Sequence, residues 1–292
     1  MSSQGISRNE YTAALPVAGF RGNRRQQTLW GIVLCALLLL AVILSTWVIG
    51  DDSLNPLLAQ RNQPPSLAHP FGTDWLGRDM FSRSLHGMSL SLRIGLLAAG
   101  ISALIGTSLG LAAGTLGGWV DAVITWVIDV FFSLPHLVLL ILIAFAAGGG
   151  TTGVIIAVAL THWTSLARVI RAEVLQVNSS EYVQLSHRLG RSTLWIARHH
   201  MLPHVIPQLL VGLILLFPHA ILHEAALSFI GIGLSPHIPA IGLILAESMR
   251  HLSTGYWWLG VMPGLLLLLS VKAFDWLGEN VRTLLDPKTS QG

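Results

Sequence analysis

Two histidines stand one helical turn apart in the segment FPHAILHEAALSFIGIG, at His219 and His223. At i, i+4 on a helix they share a face. Neutral imidazole suits borderline metals such as nickel and zinc, so the pair can present two nitrogens to a passing ion. The plainer use of either ring is a hydrogen bond to a neighbouring helix. Glu224 follows directly but lies about 100° around the helix from His223. Asp129 is a second acidic residue in an apolar segment. Ionisable groups at membrane depth normally face a bundle interior or a cavity. His219, His223, Glu224 and Asp129 are therefore the candidate pathway residues, with His219 and His223 as transient metal ligands.

A second concentration of polar chemistry is FGTDWLGRDMFSRSLHG, residues 71 to 87. Asp74 with Arg78, and Asp79 with Arg83, are i, i+4 pairs with the acid first, the better order on a helix. Thr73 is a plausible N-cap, and Gly77 interrupts the run. The spacing predicts a short helix here. Each exposed pair contributes only about 0.3 to 0.5 kcal/mol, too little to explain four charges in so apolar a chain. A positional role is expected instead.

Enzyme chemistry finds little support. A phosphate-cradling G-x4-G-K-[S/T] loop requires a lysine after a glycine, and the only lysines, Lys272 and Lys288, follow valine and proline. His219 and His223 lack the H-E-x-x-H arrangement of a metallohydrolase. The lone Cys35 excludes an intrachain disulfide or a zinc-thiolate cluster.

The elements that must hold these groups are membrane helices. The chain has 292 residues, 52% of them hydrophobic and 11% charged, a composition unlike that of a soluble globule. Spanning a hydrocarbon core takes about 20 apolar residues. Residues 29 to 50 satisfy this without a charge, bracketed by Trp30 and Trp47 at headgroup depth. The run is too long for a signal-peptide core and reads as a retained anchor. Further spans are expected at 94 to 117, 120 to 147, 154 to 170, about 205 to 233 and about 256 to 278, six in all. The first of these carries Gly106, Gly110 and Gly114 at four-residue spacing, which lets helix backbones approach closely.

Arginines set the orientation. Arg8, Arg21, Arg24 and Arg25 precede the first span, Arg168 to Arg198 lie around the loop after the fourth, and Arg282 and Lys288 follow the sixth. By the positive-inside rule these share the cytoplasmic side, both termini included. The basic character thus reports orientation, not nucleic-acid binding. The expected organisation is a cytoplasmic tail (1–28), the anchor (29–50), an extracytoplasmic loop with a short helix (51–90), a five-helix core (91–281) and a C-terminal tail (282–292).

Within the core, the loop 178–204 reads as a knob. Asn178 with Glu181 three residues on is a helix start. Tyr182, Leu185 and Leu189 form an apolar stripe, Gly190 can end the helix in a left-handed turn, and Ser192 or Thr193 can start another. Two short amphipathic helices of this kind can dock in a partner's groove.

Here the sequence resembles a family. Gly190, nine residues, then His200-Met201-Leu202-Pro203 is similar to the coupling-loop signature of ABC importer permeases, E-A-A-x3-G-x9-I-x-L-P. Gln184-Leu185-Ser186 stands at Glu-Ala-Ala, and His200 at the isoleucine. Residues 71 to 90 resemble, throughout, the second permease subunit of the dipeptide/oligopeptide/nickel importers. So do Gly117 to Asp121, Leu227 to Gly233 and Leu285 to Lys288. The resemblance implies an all-α integral membrane protein of the type I ABC importer permease fold, with a cytoplasmic coupling helix, in the bacterial cytoplasmic (inner) membrane. It implies ATPase coupling through Gln184, Leu185, Ser186, Gly190, Leu202 and Pro203, and an extracytoplasmic signature at Asp74, Gly77, Arg78, Asp79 and Arg83. The partners it implies are a second permease, two ATP-binding subunits and an extracytoplasmic substrate-binding protein, in membrane lipid. No cofactor is expected on this chain, with ATP and Mg on the partner ATPases.

The cargo divides the family. The two histidines and the run Leu160-Thr161-His162-Trp163 resemble its nickel branch, whereas Glu224 to Phe229 resembles its peptide branch. Nickel or a nickel chelate is the expected cargo, and dipeptides or oligopeptides the alternative. A secondary transporter, with ionisable groups at the midplane and inverted repeats, is the distant alternative, since no convincing repeat is visible.

Overall fold

The computed structural model of the chain describes residues 24–50, 54–235 and 238–285. Arg8, Arg21, His237, Asp286, Pro287 and Lys288 lie outside the described residues. Among those described, all regular structure is helical: α1 (Arg24–Ile49), α2 (Met80–Leu116), α3 (Gly118–Ser133), α4 (His136–Ala146), α5 (Gly150–Asn178), α6 (Glu181–Arg188), α7 (Thr193–Ile196), α8 (Leu202–Ile230), α9 (Ile241–Met249) and α10 (Trp258–Leu285). The one strand-like feature among the described residues is an isolated bridge between Thr73 and Asp79.

Five of these helices are long and apolar enough to cross a membrane, and α3 with α4 make a sixth span if counted together. That pair is bent by 102°, where an unbroken span over 120–147 was expected. The break is at Leu134-Pro135. Pro135 disfavours helical geometry in the residue before it, and Leu134 is extended, with φ −92° and ψ 142°. Outward-facing Leu97, Leu104, Trp126 and Phe145 are bare, as expected for a chain solvated by lipid.

The core is centred on α2 against α5. Gly106, Gly110 and Gly114 form the seam: a methyl group at Gly110 would stand 2.6 Å from the Ala167 carbonyl oxygen, and one at Gly106 2.7 Å from that of Trp163. The close approach read from glycine spacing is therefore real. Gly106 to Gly110 also spells G-x-S-x-G, but inside an unbroken helix and not at the strand-to-helix turn a nucleophile needs.

Three expectations are corrected at the helix ends. Helix α2 begins at Met80 and not near 94, because Ser82, Arg83, Ser84 and Ser89, which look like loop residues, are buried. Residues 71–79 form no helix of their own, and Asp79, not Thr73, caps the helix that follows, accepting from the Ser82 amide at 2.8 Å. Helix α5 runs through Asn178, so the cap position of α6 is Ser180. The turn at Gly190 is as expected, with φ +79°, a left-handed conformation that glycine adopts without penalty. Ser192 caps α7 by accepting from the Trp195 amide at 3.3 Å. From there the backbone continues through a wider π-type turn, Ala197–Met201, into α8.

Candidate functional site

A cavity of about 540 Å³ opens where the end of α3, the start of α4, and the flanks of α5 and α8 meet. Its wall includes Phe131, Gln208, His136, His162, His219 and His223. The expected pair on α8 does face this space, as its i, i+4 spacing requires. Of its neighbours, sequence reasoning missed His136 and met His162 only inside the run that resembles the nickel branch. His136 starts α4 directly after the Pro135 break, and His162 lies in the middle of α5. One ring nitrogen from each of His136, His162 and His223 falls within 4.8 Å of the others. Ring centroids are 4.9 Å apart for His136–His162, 4.7 Å for His136–His223 and 4.9 Å for His162–His223. The signal that would have found them is the rule already applied to α8: a polar residue at membrane depth is a candidate wherever it stands.

The four rings are held differently. Nδ1 of His162 lies 3.0 Å from the Val158 carbonyl oxygen and 3.0 Å from the Thr161 hydroxyl, whose own proton goes to the Ala157 carbonyl. A carbonyl only accepts, so Nδ1 carries the proton and Nε2 keeps a free lone pair. The rings of His136, His219 and His223 make no side-chain hydrogen bond among the described residues.

Glu224 and Asp129 do not line this cavity. Glu224 is fully buried on another face of α8, accepting from Ser228 Oγ at 2.8 Å, which follows from its rotation away from His223. Asp129 is exposed and pairs with Arg168 at 3.1 Å, while Arg168 lies over the Phe132 ring.

At one end of the bundle, residues 57 to 83 form a charged seat. Asp74 is fully buried and accepts from the Leu76 and Arg78 amides at 2.9 Å each, from Arg78 Nε at 2.7 Å and from Arg83 Nη1 at 3.3 Å. Arg83 reaches on to Glu247 of α9 at 2.5 Å. The pair Asp74–Arg78 is thus as expected. Asp79–Arg83 is not a pair, because the Asp79 carboxylate is taken by His69 at 3.0 Å and by the cap. Gly77 has φ +75°, and a Cβ there would meet the Leu57 carbonyl oxygen at 1.9 Å.

At the knob, Val183, Ile196 and Met201 are buried and anchor α6 and α7 to the bundle, while Tyr182, Leu185 and Leu189 point outward. Ser186 Oγ lies 3.1 Å from His200 Nε2, and the His200 ring packs edge-on against Tyr182 and Trp195. An imidazole thus ties the two short helices together at the position where the family signature has isoleucine. Gln184 Nε2 donates back to the Ser179 carbonyl at 3.1 Å. Leu202 opens α8, with Pro203 in its first turn, where a missing amide proton costs nothing.

The family of binding-protein-dependent transport system inner membrane components matches residues 106–289. The chain belongs to that family. The dipeptide transport system permease protein DppC of Bacillus subtilis is 34% identical over 258 residues, 88% of this chain and 81% of its own length. The probable D,D-dipeptide transport system permease protein DdpC of Escherichia coli is 36% identical over 261 residues, covering 89% and 87%. A putative peptide transport system permease protein of Brucella suis is 37% identical over 265 residues, covering 91% and 89%. An inward-facing structure of the MetNI methionine ABC transporter superposes with a TM-score of 0.57 at 18% identity, over 71% of this chain and 98% of that one. The fold is that of type I ABC importer permeases, and the permease is a membrane subunit, not an ATPase.

Proposed function

We propose that this permease carries dipeptides or short oligopeptides into the cell, as one of two membrane subunits driven by separate ATPases and supplied by an extracytoplasmic binding protein. The observation that carries the cargo is the kinship: relatives 34% and 36% identical over nearly nine-tenths of the chain are named for dipeptides. This favours peptides over the nickel expected from the paired histidines. The cavity between α3, α4, α5 and α8 is the route in this reading. Its volume is in the range of pockets that bury small ligands, roughly 300 to 1,000 Å³, and its wall mixes aromatic, amide and imidazole groups suited to a zwitterion.

In the same reading the arginine-rich knob end is cytoplasmic and the charged seat extracytoplasmic, with both termini inside. The bare stripe of α6 is the surface offered to an ATPase, with Gln184, Leu185, Ser186 and Gly190 in the coupling element and Leu202-Pro203 leading from it into α8. ATP and Mg are bound by that partner.

The test is reconstitution. The complex assembled from this chain and its co-expressed partners is placed in liposomes with a labelled dipeptide and the binding protein. Uptake that requires ATP inside and binding protein outside is the expected result. Absence of peptide uptake alongside ATP-driven nickel uptake would restore the nickel reading.

A further inference from the structure

The inference that follows rests on reading the cavity as the cargo's route. We propose that His136, His162 and His223 form a transition-metal site in its wall, holding a borderline divalent ion of the nickel, copper and zinc class as it passes, either bare or carried by a peptide chelator.

Three observations carry it. First, the rings converge from three different helices, α4, α5 and α8. Helical periodicity cannot place them together, so tertiary packing does. Second, their bonding leaves ring nitrogens open to a ligand. Among the described residues the exposed His136 and the half-buried His223 form no hydrogen bond, so neither ring is tied into a structural network and both open on the cavity. His162 uses Nδ1–H toward the Val158 carbonyl, which leaves Nε2 available. A backbone carbonyl fixing one nitrogen so that the other can coordinate is the outer-shell arrangement of metal-binding histidines. Third, the donor set is all nitrogen. No carboxylate lines the cavity, which disfavours calcium and magnesium, hard ions that demand oxygen. Imidazole suits the borderline metals.

The geometry also sets the strength. Nitrogens bound to one tetrahedral metal at 2.0 to 2.1 Å lie roughly 3.4 Å apart, whereas these reach up to 4.8 Å. Small ring rotations must close the set, so the site binds more weakly than a preformed one. That is what a route requires, because conduction needs binding weak enough to leave. Three protein ligands leave a fourth position open toward the cavity, where the amine or carboxylate of a chelating peptide can remain attached to the ion. His219, one turn before His223 in the same wall, is placed to take the ion onward.

The test uses the purified, metal-stripped complex in detergent. Cobalt(II) alone is titrated while visible ligand-field absorption is followed, with nickel(II) as competitor. The expected result is a saturable nitrogen-ligated spectrum, displaced by nickel, with affinity weakened at least about tenfold in His136→Gln and again in His223→Gln. Size-exclusion yield reports whether each variant assembles. Should a variant fail to assemble, copper(II) bound to the wild-type complex decides the matter, since electron paramagnetic resonance reports coupling to coordinated imidazole nitrogens. Uptake of nickel(II) alone against nickel(II) bound to Gly-Gly-His, in proteoliposomes, separates the bare ion from the chelate. No saturable spectrum, no imidazole coupling, or a spectrum unchanged in assembled variants overturns the site. Dipeptide uptake by the wild type is scored separately: its presence without metal binding sinks this inference alone, and its absence with metal binding sinks the peptide reading alone.

Discussion

The two ends of this permease use opposite chemistry for opposite purposes. The seat around Asp74 turns its polar groups inward: the Asp74 carboxylate accepts four hydrogen bonds, from two amides and two guanidinium groups. The knob turns apolar groups outward, with Leu185 57% and Leu189 74% exposed, and bonds Ser186 and Gln184 to its own residues. An inward, saturated polar cluster fastens the connection before α2 to α9 through Glu247. An outward apolar stripe on a helix anchored by Val183 offers a surface to something else. The four charges in residues 71–87 are therefore a fastening, which answers why so apolar a chain carries them.

The comparison breaks most readily at the seat, where the largest effect is expected. Asp74→Ala leaves the part-buried Arg78 without its anion and the buried Arg83 with Glu247 alone. Removing one partner of a buried ion pair costs about 3 to 5 kcal/mol, because the charge left behind is uncompensated. Little of the variant should accumulate in the membrane, measured by quantitative blot against wild type. Accumulation at wild-type level would show that water reaches the seat and that its charges are solvated.

The knob should respond in the reverse sense. Leu189→Glu alters an exposed side chain that makes no buried contact, so its effect on stability should stay within about 0.5 kcal/mol. Yet co-purification of the ATPase subunits, and ATP-driven uptake with it, should fall at least about tenfold, since a charge in an apolar docking face must be desolvated. Unchanged ATPase recovery would move the coupling surface off α6.

What the sequence made legible follows the range of its signals. Hydropathy located the spans, glycine spacing located the seam between α2 and α5, and Gly190 located the turn in the knob, because each is a local pattern read against a local rule. The start of α2 was illegible for a physical reason. Ser82, Arg83 and Ser84 are polar, but they are buried by partners from distant segments, Asp74 and Glu247 for Arg83, so burial contradicted composition. The helix α9 was too short to register as a span. The bend at Leu134-Pro135 was signalled by proline but outweighed by unbroken hydropathy on both sides. In the candidate site, His219 and His223 were legible from spacing within one helix. His136 was not singled out and His162 was noted only within a run resembling the nickel branch, since their meeting with His223 depends on the bend and on packing that no periodicity encodes.

The smallest effect is expected at Glu224, and it decides to which of the two kinds of polar group this residue belongs. One oxygen accepts from Ser228 Oγ at 2.8 Å, while Oε2 has no partner, and the buried Ser91 hydroxyl approaches the carboxyl without closing a normal hydrogen bond. If Glu224 is packing, Glu224→Gln keeps its shape and the bond from Ser228, and its amide can donate to the free Ser91 oxygen. Stability and dipeptide uptake should then stay close to wild type, within about 1 kcal/mol and about twofold. Glu224→Ala is the contrast, because it orphans Ser228 and opens a hole, at a cost of about 1 to 3 kcal/mol. Thermal unfolding of the purified complex and initial uptake rates on both variants separate the cases. If Gln instead abolishes uptake while the complex unfolds at the wild-type temperature, the carboxyl acts on the cargo. Helix α8 would then present a second working face, and the route would be wider than the histidine cavity alone.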